Sequence, residues 1–118
     1  MENRRKKVTK IPIYFGLLIL IQTEDFEAIA KEYDLHIDGR GFDALAFRSP
    51  LKNGFTRYVI VFDSKPTNKI IAHECTHVVN FIFADRDIKL DLNNDEPQAY
   101  LMGWVFEQCD KFLNSNNK

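Results

Sequence analysis

A chain of 118 residues is long enough for one hydrophobic core and too short for two. Hydrophobic residues make up 45% and charged residues 28%, an ordinary globular composition, and the formal net charge of −1 supplies no field favouring nucleic acid or an acidic membrane surface. Neither partner is therefore expected. Cys75 and Cys109 are too few for a disulfide framework. They read as small buried apolar residues in a reducing, cytoplasmic setting.

At the N-terminus, "MENRRKKVTK" precedes the apolar run "IPIYFGLLILI", which imitates a secretory signal. The run, residues 11–21, is too short to cross a bilayer. It is followed by the acidic "QTEDFEA", with no small-residue cleavage site. Its density of Ile, Leu, Tyr and Phe instead predicts a strand buried on both faces. Residues 1–9 then read as a basic, solvated tail, and the "NSNNK" end, residues 114–118, as frayed.

Next, Thr23 is placed to cap a helix through "EDFEAIAKEYD", with Phe26, Ile29, Ala30 and Tyr33 at helical spacing. "DLHIDGRG" is a loop. "FDALAFRS" and "FTRYVIVFD" form a hairpin turning near Gly54. The period then changes in "DSKPTNKIIAHECTHVVNFIFADRD", where Ser64 or Thr67 can cap a helix. Lys69, Thr76 and Asn80 share one narrow polar face, so this helix is expected to be central and mostly buried. A final helix starts around Asp95, with Pro97 in its first turn and a core stripe of Leu101, Met102, Val105, Phe106, Cys109, Phe112 and Leu113. The expected architecture is a single α+β domain over residues 1–118, a small mixed or antiparallel sheet packed on two C-terminal helices.

The chemistry concentrates in "HECTH", residues 73–77. Positions i and i+4 share a helix face, so His73 and His77 can offer imidazole nitrogens to one zinc ion. Glu74, about 100° round the helix, is placed to act on a metal-activated water as general base. Two histidines and a glutamate would be a costly choice for a dry helix face without a metal. Ile70, Phe81 and Ala84 project on the same side as this stripe and make its wall partly dry.

A zinc site needs a third protein ligand. His36, Asp63, Asp85, Asp87 and Asp91 are all eligible, and Glu96 is the best candidate. It opens the last helix, and Ala99 and Gly103 project within about 60° of it, so small side chains would let the two helices approach closely. As a first-turn acid, Glu96 would also suit the helix dipole without any metal.

"HECTH" followed by "EPQAY" resembles the gluzincin metallopeptidases, whose pattern is H-E-x-x-H on one helix and E-x-x-A on the next. The short spacing and length are similar to the minigluzincins and to small metallopeptidases of phages and mobile elements. The resemblance is carried by residues 56–107. It implies a zincin-like fold, Zn2+ held by His73, His77 and Glu96, Glu74 as general base, and hydrolysis of peptide bonds in a host cytoplasm. It also implies that an extended peptide pairs with the strand at residues 56–63 as the rim of the cleft. One departure is Tyr100, where relatives often carry Asp or Asn. Tyr100, Tyr14 and Tyr58 are all candidate hydrogen-bond donors to the reacting carbonyl. The competing expectation is a non-catalytic binding or assembly protein that keeps zinc to hold its helices together.

Overall fold

The computed structural model describes residues 4–37 and 43–115. Four strands and three helices follow in the order β1 (Arg5–Lys10), β2 (Leu17–Gln22), α1 (Phe26–Glu32), β3 (Ala44–Pro50), β4 (Thr56–Phe62), α2 (Asn68–Asp85) and α3 (Glu96–Asn114). The protein is an α+β domain built on one mixed sheet of strand order β1-β2-β4-β3. β2 and β4 pair in parallel at its centre, Leu17 opposite Arg57 through Gln22 opposite Phe62. β1 is antiparallel to β2 and β3 is antiparallel to β4, closing the two sides.

Central position explains why β2 and β4 are apolar without alternation: both faces are covered. Leu18, Leu20, Tyr58, Ile60 and Phe62 face the layer formed by α2 and α3. Ile19, Ile21, Val59 and Val61 face Phe26 and Ile29 of α1. A core this continuous leaves Leu18, Ile21, Tyr58 and Phe62 with no exposed surface. On α3 the buried stripe is Leu101, Val105, Cys109 and Phe112, with Met102, Phe106 and Leu113 half-buried against it. Cys75 and Cys109 meet where α2 and α3 touch, both free and buried with sulfurs 3.8 Å apart. That mutual hydrogen bond and burial push the Cys109 thiol up, which keeps it neutral.

Several sequence expectations need correction. The segment expected to be a solvated tail is instead, over Arg5–Lys10, the edge strand β1. Arg5 explains part of the docking: its guanidinium donates to Gln22, to the Phe112 carbonyl and to the Ser115 hydroxyl, and lies 4.7 Å over the Phe112 ring. The apolar run at residues 11–21 is not one strand. It breaks in a tight connection where Ile13 and Phe15 take positive φ and Gly16 has φ 144°, and only then enters β2. Arg86, the C-cap of α2, holds this connection by donating to the carbonyls of Tyr14 and Phe15.

The α1 cap is Asp25, which accepts the Ala28 N–H, while Thr23 is buried and accepts the Asp25 N–H. Thr67 caps α2 by accepting the Ile70 N–H. The hairpin turns at Gly54, whose φ is 90°. α3 ends at Asn114, and the remaining residues of the expected frayed end lie outside the described ones from 116 onward. Among the described residues, no helix is long and apolar enough to cross a membrane.

Candidate functional site

α2 is less buried than its sequence predicts. Ile71, Glu74, Cys75, Val78, Val79, Ile82 and Phe83 face the sheet and α3, while Ala72, His73, Thr76, His77 and Asn80 face solvent. The two histidines therefore stand on the open side of the helix, with the His73 side chain 66% exposed. Helical spacing brings their Nε2 atoms to 3.2 Å, with the rings edge to face. Two nitrogens bound tetrahedrally at about 2.0–2.1 Å from one zinc ion would lie roughly 3.3 Å apart, so this pair has the bite of a bidentate metal ligand. The same separation lets the two rings share a hydrogen bond, with donor and acceptor set by the tautomer.

Glu74 sits next to them but points inward, with only 8% of its surface exposed. Its Oε2 is 3.9 Å from His73 Nε2. Burial raises the carboxyl above the usual carboxylate range, opposed by the two histidines and by a hydrogen bond from the Ala46 backbone. Such a carboxyl binds a proton more readily than a solvated one, as a general base in neutral solution should.

Ala46 belongs to β3, and β3 is the free edge of the sheet on this side. Asp43 accepts the Asp63 N–H, so alternate residues from Asp43 turn their backbones toward β4, and Ala44, Ala46 and Arg48 turn theirs outward. This overturns the rim expected at residues 56–63. β4 is hydrogen-bonded on both sides, to β2 and β3, and has no edge to offer a peptide. The unbroken apolar run Tyr58–Phe62 was the available signal, since such runs mark interior strands. Beyond the histidines the open face continues through Phe81, which stacks on His77 at 6.3 Å, and Arg48, 5.0 Å over the Phe81 ring. Arg48 is fixed by Asp85 at 2.6 Å.

The remaining candidates are dispersed. Glu96 is exposed at the first position of α3. Among the described residues, no three His, Cys, Asp or Glu side chains are grouped as a metal ion would require. The cause is helical phase: Glu96 precedes Leu101 by five residues, about 140° away from the stripe that meets α2. Ala99 and Gly103 share that outward side, and a Cβ on Gly103 would meet nothing within 4 Å. Small side chains there do not bring the helices together, contrary to the sequence argument.

His36 and Asp87 are exposed in loops. Asp85 is committed to Tyr58 and Arg48, Asp63 to the Ser64 N–H and Asp91 to the Asn93 N–H. Tyr58 has no exposed surface and cannot reach a substrate, and Tyr14 packs at 5.8 Å on Phe83. Tyr100, 75% exposed one turn after Glu96, is the accessible donor of the three. No protein family, curated protein or solved structure matches the chain.

Proposed function

We propose that this protein is a zinc-dependent endopeptidase in which His73, His77 and Glu96 hold the ion and Glu74 is the general base. The observation that carries the reading is the 3.2 Å separation of two exposed imidazole nitrogens beside a buried carboxyl, 3.9 Å from the nearer of them. When bound, a divalent ion supplies Lewis acidity, making a water acidic and polarising a carbonyl.

The chain's own part is positional. A peptide pairs with the outward backbone of β3, the rim beside Glu74, and not with β4. Glu74 takes the proton of the attacking water and delivers it to the departing amine.

Completing the ligand set requires the first turn of α3 to rearrange. That turn is suited to it: Asp95 makes no side-chain cap hydrogen bond, and residues 89–95 before it are exposed. Uncapped, solvated ends open at low cost. The test is metal analysis of the purified protein, then digestion of a peptide library by the parent and by Glu74→Gln. Stoichiometric metal with cleavage by the parent alone supports the reading; cleavage by both disproves Glu74 as the base.

A second reading is a non-catalytic binding or assembly protein stabilised by zinc; it needs the same inward turn of Glu96, exposed as it stands, and differs in that Glu74 moves no proton. In that case chelation lowers the melting temperature strongly and no peptide in the library is cut.

A further inference from the structure

β1 is the other free edge of the sheet, and its composition is unlike the rest of the surface. Five of the seven residues at positions 4–10 are Lys or Arg and none is acidic, in a chain whose net charge is −1. With Lys111, Phe112 and Ser115 of the α3 end, residues 4–7 line a cavity of 330 Å³. Two cations there are partly neutralised, Arg4 by Glu32 at 2.6 Å and Lys111 by Glu107 at 3.9 Å. Lys6, Lys7 and Lys10 have no carboxylate partner among the described residues.

The hydrogen-bond phase of the strand is legible. Ile11 donates to the Gly16 carbonyl, so the residues alternating with it, Thr9, Lys7 and Arg5, turn their backbones toward β2. Lys6, Val8 and Lys10 consequently present N–H and C=O groups on the open edge. Arg5, Lys7 and Thr9 share the sheet face of α3, while Lys6 and Lys10 lie on the opposite face, flanking a Val8 that is 49% exposed. Cations thus border the open edge on both faces.

We propose that the β1 edge is a docking site for an extended acidic peptide segment of a protein partner, added to the sheet as a fifth strand. Main-chain groups of Lys6, Val8 and Lys10 supply the ladder, and lysines on both faces select acidic side chains. A second copy of this edge is repelled by the same lysines. Nucleic acid fits less well. The one aromatic residue lining the cavity, Phe112, is buried beneath Arg5 and offers no stacking surface.

The test is fluorescence-anisotropy titration of the full chain at low salt with a capped octapeptide of glutamate and valine. A thymidine octanucleotide of similar charge forms the second arm. The octapeptide is expected to bind saturably, to weaken at least tenfold in the Lys6→Glu/Lys10→Glu variant, and to slow amide exchange at Lys6, Val8 and Lys10. Val8→Pro removes one outward N–H without touching the β2 pairing, so it should fold and weaken peptide binding at least fivefold. If charge reversal disturbs the circular dichroism spectrum, Lys6→Gln/Lys10→Gln carries the same expectation. The proposal is overturned by absence of saturable peptide binding. It is equally overturned by tighter binding of the octanucleotide, or by a Val8→Pro variant that binds peptide like the parent.

Discussion

Glu74 Oε2 lies 3.9 Å from His73 Nε2, on the one turn of α2 that also brings the His77 Nε2 to 3.2 Å from that of His73. The group that would move a proton is thereby held beside the pair that would hold the ion. Glu74→Gln keeps the shape while removing the base. Hydrolysis of a cleaved library peptide should fall by about 10²–10⁴-fold with metal content unchanged. Steady-state kinetics with metal analysis on the same preparation checks both halves.

Removing one imidazole of the 3.2 Å pair leaves a single nitrogen and no chelate. His73→Ala and His77→Ala should each weaken zinc binding by more than about 100-fold, beyond the usual cost of losing a group that only supports a ligand. Glu96→Ala should weaken it comparably if the first turn of α3 closes on the ion. Competition titration with a chromophoric chelator measures all three, and unchanged affinity in Glu96→Ala would remove that residue from the ligand set.

Gly16 and Gly103 should respond oppositely to alanine. At Gly16, φ is 144° and a Cβ would lie 2.9 Å from the Thr56 carbonyl oxygen, so Gly16→Ala should cost about 2–4 kcal/mol. At Gly103 the added methyl meets open space within a helix, so Gly103→Ala should stabilise by about 0.5–1 kcal/mol. Urea denaturation reads both. A destabilised Gly103→Ala would restore the close helix approach inferred from sequence.

Tyr58 donates to Asp85 Oδ2 at 2.6 Å, and burial, then that hydrogen bond and the carboxylate charge, push its hydroxyl up to about 12. A folded pKa above the unfolded value of 10.0 means that this contribution is complete below pH 10 and is lost as pH rises toward 12. Tyr58→Phe should cost about 1–2 kcal/mol at neutral pH and flatten the alkaline limb of the stability profile. Denaturation midpoints from pH 8 to pH 11.5 check the slope.

The sequence alone determined the helices, the hairpin, the core stripe of α3 and the juxtaposition of His73, Glu74 and His77. Each of these is local, set by side-chain period and by the geometry of one helix turn. The apolar runs of β2 and β4 mark them as interior strands, but tertiary structure alone decided which strand borders which, because main-chain hydrogen-bonding groups are the same in every residue and do not name their partner. It made a strand of Arg5–Lys10, whose lysines look like a tail until β2 supplies a partner. The outward turn of Glu96 was legible, since it lies about 140° round α3 from Leu101; what only tertiary structure decided is that the stripe of Leu101, Val105, Cys109 and Phe112, and no part of the Glu96 side, packs against α2 and the sheet.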